Sequence, residues 1–286
     1  MEVDCEGCAG CCIDWRSLTD ADIDHERRGP FEPLDDTYNL APLTRDEVRE
    51  FVAAGYGDAL CPRLWKATDD RSVTIGDVDV AAIQGRPVFF VGLRKPPKPV
   101  APFDGDSTWL HACVFLDPTT LQCRIHGDDL YPETCARYPA ENLRLDVETE
   151  CERVERVHGG TRLLDDTAPD VDPLFGPAAV GSKVFAHPAP DRVTDSVARF
   201  RDGEPTAADR AEFVGVAAAA SPGTLLVNDA RYEAARDAVI EADSWAGRAI
   251  DAWGADAGAV GSAGPPPAVA RDVEDVAGAP PTPGWE

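Results

Sequence analysis

Nine cysteines, at positions 5, 8, 11, 12, 61, 113, 123, 135 and 151, carry the chemistry this chain offers, and none falls in its last 135 residues. In a reducing compartment, thiols clustered in this way point to metal ligation or redox chemistry before structural disulfides. The opening run Cys5-x2-Cys8-x2-Cys11-Cys12 places four thiols within eight residues. Two residues between thiols is the spacing that lets a tight loop turn both sulfurs toward one ion. Gly7 and Gly10 fall between the ligand candidates, where the backbone must bend sharply. Thiolates suit zinc and iron–sulfur clusters alike, and spacing separates the two poorly. Neighbouring side chains diverge in an extended segment, so one of Cys11 and Cys12 is expected to serve the local site. The other then reaches a second site or is simply buried.

A second set is Cys113, Cys123, Cys135 and Cys151, with His126 three residues after Cys123. Four such residues close a tetrahedral site if a hairpin and two loops bring them together; otherwise they are small buried hydrophobes. Cys113-Val-Phe-Leu and Leu121-Gln-Cys123-Arg-Ile flank Asp117-Pro118-Thr119-Thr120, whose proline at the second turn position predicts a hairpin with its cysteines at facing ends. Cys61 stands apart and reads as a buried thiol before a supplementary ligand. His111 reads as a loop histidine, while Cys123-x2-His126 is a permitted zinc spacing. His25, His158 and His187 have no partner pattern and are expected in solvent, as is the Asp128-Asp129 pair. Trp65, Trp109, Trp245 and Trp253 are expected to fill cores. The sequence holds no P-loop, no dinucleotide-type GxGxxG, no Gly-x-Ser-x-Gly elbow and no CxxxCxxC.

The opening Cys5-x2-Cys8-x2-Cys11-Cys12, then Cys113-Val-Phe-Leu-Asp, Cys123-Arg-Ile-His and Pro132-x2-Cys135-x2-Tyr138-Pro139, resemble the YkgJ-type cysteine-cluster family. Leu18-Thr-Asp-Ala-Asp-Ile23 is similar to the helix start that follows the opening there, and Cys151 to that family's last cysteine. The resemblance spans residues 5 to about 155 and implies a zinc- or iron-chelating domain, with no settled reaction. Tyr131 stands where that family usually has Arg, Arg137 one position later than its Arg, and His126 where Tyr is common. A flagellin lysine methylase carries a related motif, so a protein-modification role belongs among the alternatives.

Short elements must position these thiols. Thr19 with Asp22 predicts a capped helix ending at Gly29-Pro30. Thr44 with Glu47, and Leu43 with Val48, predict a boxed and stapled helix to Ala54, with Gly55 just past its end. Ser72–Ile75, Val78–Ala81 and Val88–Val91 read as strands, and Lys95–Pro99 as an extended loop, because its three prolines cannot join a ladder. Residues 165–190 read as a connection. Thr206 with Asp209 opens a helix through Ala220, broken at Ser221-Pro222-Gly223. Asn228 caps a second helix, whose apolar face recurs from Tyr232 to Trp253 and closes at Gly254. Residues 258–286 hold five Gly, six Pro and six Ala, a composition that buries too little to offset ordering and predicts disorder.

Asp and Glu number 52 and Lys and Arg 27, a formal charge of −25. That balance argues against a nucleic-acid-binding surface and against docking on an anionic membrane. With only four lysines, it is the signature of a salt-adapted cytoplasm, as in haloarchaea. Hydrophobic residues make up 43%, enough for a core, and no apolar run or signal-like start argues for membrane insertion or export, so the chain reads as cytoplasmic.

The sequence therefore predicts an α+β protein. Residues 1–160 form a small cysteine-cluster metal-binding domain, 161–204 a connecting segment, 205–255 a helical extension and 256–286 a disordered tail. Cys5, Cys8, Cys11, Cys12, Cys113, Cys123, Cys135 and Cys151 are the expected ligands of an iron–sulfur cluster, slightly preferred, or of zinc. The alternatives are an enzyme using that centre for redox or group transfer, or an interaction module with a structural zinc and an unidentified protein partner.

Overall fold

The computed structural model describes residues 2–21, 32–35, 37–168, 170 and 178–284. In chain order the elements are β1 (Glu2–Val3), β2 (Glu32–Pro33), α1 (Arg45–Ala53), β3 (Leu60–Lys66), β4 (Ser72–Ile75), β5 (Val78–Ile83), β6 (Arg86–Leu93), β7 (Pro97–Val100) and β8 (Thr108–His111). There follow α2 (Glu133–Ala136), α3 (Ala140–Arg144), α4 (Glu150–His158), β9 (Leu163–Asp165), β10 (Phe185–Ala186), α5 (Thr194–Arg201), α6 (Ala207–Ala219), α7 (Asp229–Glu241), α8 (Trp245–Asp256) and α9 (Pro267–Ala277). The fold is mixed α and β, and its sheets are antiparallel.

The main sheet runs β10-β6-β3-β5-β4, with β2 added on β3. β3 and β6 pair from Leu60 opposite Leu93 to Leu64 opposite Phe89. The two-residue strand period then turns Leu60, Pro62 and Leu64 to the same buried face as Phe89 and Val91. Helix α6 covers that face, its Phe213 ring 5.0 Å from Phe89 in an edge contact. One core cluster runs from Leu34 and Leu43 through the sheet to Phe213, Trp245 and Ala270, so residues 205–255 pack into the core of the first 160 residues. A second cluster gathers Cys8, Ile13, Trp15, Leu110, Ala112, Leu116 and Val154 beneath the cysteine loops. No helix among the described residues is long and apolar enough to cross a membrane.

Local signals placed several elements. Thr44 and Glu47 form the reciprocal box of α1, and Thr206 and Asp209 that of α6. Asn228 accepts from Arg231 N at 3.0 Å to cap α7. The strands at β4, β5 and β6 fall on the β-branched runs. The helix expected from Thr19 to Pro30, with His25, lies largely outside the described residues, which end there at Ala21.

Four expectations are corrected. Pro97–Val100 is a strand, not a loop: β7 pairs with β8, whose Trp109 N donates away from it to Ser262 O at 3.0 Å, so Pro99 stands at a non-hydrogen-bonded position where no ladder N–H is required of it. The hairpin at 113–125 has a single ladder bridge, Leu116 to Cys123, because Asp117 accepts from Thr119 N (2.8 Å) and Thr120 N (3.0 Å) and curls the chain into a side-chain-closed turn. The helix read from Asn228 to Trp253 is two helices. Asp58 accepts from Ser244 N (2.9 Å) and Ser244 Oγ (2.6 Å), and Ser244 caps α8, so a distant carboxylate breaks a run whose periodicity continues. The Pro-, Ala- and Gly-rich tail is ordered: α9 packs on α8 and β7 and buries Ala270 and Glu274.

Candidate metal centre

The opening loop is held by backbone bonds that curl it rather than extend it. Cys8 N donates to Cys5 O at 3.2 Å, Cys12 N to Ala9 O at 2.8 Å and Ile13 N to Ala9 O at 3.1 Å. Gly7 takes φ +62°, and a Cβ on Gly10 would meet Val154 Cγ2 at 2.8 Å, so the loop presses directly on α4. Gly10 N donates to Cys8 Sγ at 3.4 Å. Because residues 9–12 turn, the sulfurs of Cys11 and Cys12 do not diverge but lie 3.9 Å apart. That matches the ~3.8 Å edge of a tetrahedron with ~2.3 Å metal–sulfur bonds.

The loop then meets the second cysteine region. Cys113 N donates to Cys12 O at 2.9 Å, Asp14 N to His111 O at 2.7 Å, and Ile13 bridges Ala112. Cys123 follows the tight turn, Cys135 lies in α2, and Cys151 stands in the first turn of α4, boxed by Thr149 and Glu152. α2 is anchored from outside: Glu133 N donates to Glu47 Oε1 at 2.6 Å, Lys183 Nζ to Thr134 Oγ1 at 2.8 Å, and Thr134 Oγ1 to Pro42 O at 2.8 Å.

Electrostatics sorts the thiols into two neighbourhoods. Burial, then the Cys8 and Cys12 thiols, raise Cys5 to about 11; burial, then Cys5 and Cys8, raise Cys151 to about 12. Cys8 is raised mainly by burial, against the lowering Gly10 N–H. Burial and then Cys12 raise Cys113 to about 11. Burial, Cys113 and Cys12 push Cys123 up, while burial, Cys12, Cys113 and Cys123 push up Cys135. Cys12 is raised by its bond to Cys11 and by burial, and it is coupled to members of both groups. One group is thus Cys5, Cys8 and Cys151; the other is Cys12, Cys113, Cys123 and Cys135, with Cys11 beside Cys12. Lys95 and Lys98, two of the chain's four lysines, lower thiols of the second group. Arg162, which donates to Glu6 O at 2.7 Å, lowers Cys5 and Cys8 of the first. Among the described residues, no three His, Cys, Asp or Glu side chains are drawn together closely enough to hold an ion as they stand.

The other candidates fall elsewhere. Cys61 sits on β3 opposite Gly92, raised to about 11 by burial and then Asp35, and couples to arginines rather than to cysteines. His111 Nδ1 is bound to Lys95 O at 3.0 Å, a loop bond. His126 lies beside the Tyr131 ring at 4.9 Å. Two histidines expected in solvent are packed instead: His187 is buried and binds Glu212 at 3.0 Å, and His158 stacks on Phe103 at 4.1 Å. Asp128 closes a turn by accepting from Leu130 N at 3.0 Å. A groove of about 400 Å³ lined by Val52, Tyr56, Glu241 and Trp245 contains no cysteine.

A carboxylate that no motif marks supports the site from within. Glu150, only 5% exposed and adjacent to Cys151, accepts from Trp15 Nε1 at 2.6 Å, from Asn39 Nδ2 at 3.0 Å and from the Tyr38 hydroxyl, and its own N–H donates to Tyr138 Oη. A buried carboxylate among such donors ties the opening loop, the 38–39 turn and α4 together. Tyr131 and Tyr138 border the thiols, and their hydroxyls are pushed up by burial first and then by neighbouring cysteines. Tyr138 belongs to the Pro-x2-Cys-x2-Tyr-Pro segment and Tyr131 immediately precedes it.

No curated protein and no solved structure matches this chain. A family model described as a family of unknown function, DUF7531, matches residues 1–286, and the chain belongs to that family.

Proposed function

We propose that this is a metal-binding protein whose clustered thiolates chelate an iron–sulfur cluster or zinc. The observation that carries the reading is the convergence of cysteine-bearing segments: the opening loop bonds the second cysteine region through Cys113 N to Cys12 O at 2.9 Å, presses Gly10 against Val154 of the helix that carries Cys151, and holds the sulfurs of Cys11 and Cys12 3.9 Å apart, while Cys61 stands apart on β3. The donor set fits the group: soft thiols, an N–H aimed at a sulfur, and lysines beside the larger group to offset the negative charge that several thiolates bring. The cysteine spacing shared with YkgJ-type proteins supports the same reading. A bound thiolate-preferring metal would supply folding energy by pinning the opening loop against the 113–151 region.

Within the chain, Glu150 fixes Trp15 and α4, Glu47 fixes α2, and the thiols must release protons to bind metal. Expression under anaerobic, iron-replete conditions, followed by absorbance and metal analysis per chain, tests the proposal. A coloured protein with iron and acid-labile sulfide, or a colourless one with stoichiometric zinc, supports chelation and decides between the two groups. Protein purified from either iron- or zinc-replete cells with less than one metal per chain overturns it.

A further inference from the structure

Beside the second thiol group lies a fully buried set of charges that thiol chemistry does not require. Lys98, Glu274, Arg124 and Asp117 are each 0% exposed at the side chain. Two cations and two anions without solvent demand mutual pairing, since an unpaired buried charge is strongly destabilising. Glu274 comes from α9, the other three from the β7 strand and the cysteine turn. The Lys98 ammonium stands 2.5 Å from Glu274 Oε1, as an ion pair without hydrogen-bond alignment. Its protons go instead to three carbonyls of the cysteine turn: Leu116 O at 2.6 Å, Val114 O at 3.1 Å and Cys113 O at 3.3 Å. On the far side of the same turn, Arg124, next to Cys123, donates to Glu274 Oε2 through Nε (3.1 Å) and Nη2 (2.8 Å). Arg124 Nη1 also reaches Pro280 O at 2.7 Å, and Thr282 Oγ1 donates to Asp117 Oδ2 at 2.6 Å.

We infer that Glu274 is a positioning residue for Cys113 and Cys123: one carboxylate, carried in by the C-terminal helix, neutralises the two cations that hold both arms of the cysteine turn. Lys98 gathers the carbonyls of the first arm only while its own charge is balanced. Arg124 stands one residue after Cys123 and would otherwise share Asp117 alone. Removing the charge at 274 leaves a net buried cation, and the cheapest relief is for Lys98 or Arg124 to swing toward water. That movement releases the three carbonyls and loosens Cys113 and Cys123. Cys5, Cys8 and Cys151 are anchored through Glu150 and Arg162 and stay in place. The consequence for metal affinity rests on the proposed chelating function; the positioning itself does not.

The experiment uses the full chain, metal-free and reduced, with iodoacetamide modification of each cysteine followed by mass spectrometry below the melting temperature. In Glu274→Gln, Cys113 and Cys123 are expected to alkylate severalfold faster than in the native chain, with Cys5, Cys8 and Cys151 unchanged. A merely structural role would lower the melting temperature and raise all thiols together, or raise none; either pattern overturns the inference. A second variant, Lys98→Met with Glu274→Leu, keeps α9 packed by replacing the pair with apolar groups. It is expected to fold and still to expose Cys113 and Cys123, and native-like protection there overturns the inference. Zinc alone, titrated into both proteins, is expected to bind ~10-fold more weakly in Glu274→Gln, the scale seen when groups supporting metal ligands are removed. A native chain that takes up neither zinc nor iron would refute the chelating function, and the alkylation result would still decide the role of Glu274.

Discussion

A thiol that is buried beside other thiols keeps its proton, and this fixes how the metal-free protein must respond to pH. Cys5 and Cys113 rise from the ordinary 9.0 to about 11 and Cys151 to about 12. The folded state therefore holds protons that the unfolded chain gives up first. Stability from this source is complete below about pH 9 and is lost as pH climbs through the folded-state values. Denaturant melts of the metal-free protein between pH 8 and 11 should show a falling midpoint; a constant midpoint would mean that the thiols are not buried as described. Cys61 offers a contrast at the same scale, since it couples to arginines and to no other cysteine. Cys61→Ser is expected to leave metal content per chain unchanged, whereas Cys135→Ser lowers it, as read by elemental analysis of purified protein. Equal losses in both variants would count against the grouping. The candidate ligands could be read from type and spacing. Glu150 and Glu274 could not, because nothing in a chain with 52 acidic residues marks the few that fold inward.

Helix α4 shows what one element contributes. Its Thr149–Glu152 box fixes the first turn, where Glu150 and Cys151 sit, so a small loss at the cap is transmitted to the thiol it carries. Thr149→Ala is expected to cost ~1 kcal/mol, the usual size of a lost cap, and to lower the thermal midpoint measurably. A midpoint within error of the native chain would show that tertiary contacts alone hold the turn. The boxes at Thr44 and Thr206 were legible because Thr and its acidic partner act within three residues. The strands β4 to β6 were legible because β-branched runs bounded by turns act locally too. The break between α7 and α8 was hidden: periodicity runs on through Ala242–Ser244, and the partner that ends the helix, Asp58, lies 186 residues away. The pairing of Pro97–Val100 was hidden for a related reason, since a proline's fitness for a strand depends on whether its neighbour lies on one side or both.

For the whole molecule, a charge of −25 acts against compaction wherever ions do not screen it. Raising potassium chloride from ~0.1 M to ~1 M shortens the screening length from ~10 Å to ~3 Å. The melting temperature is expected to rise over that range, followed by circular dichroism. A fall would show that the buried ion pairs and exposed Arg–Asp bridges outweigh the self-repulsion. The same chain-wide view decides the C-terminal segment. Its composition alone predicts no stable structure, yet α9 is kept in place by Glu274 reaching Lys98 and Arg124 and by Ala270 in the core. By itself, the sequence determined which side chains can chelate, where the locally capped helices and branched strands form, and what sign the surface carries, for these follow from residue type and neighbours a few positions away. The tertiary structure alone decided that Glu150 and Glu274 enter the interior, that the opening thiols meet those of 113–151, and that the tail folds, because each depends on burial and pairing between segments about a hundred residues or more apart.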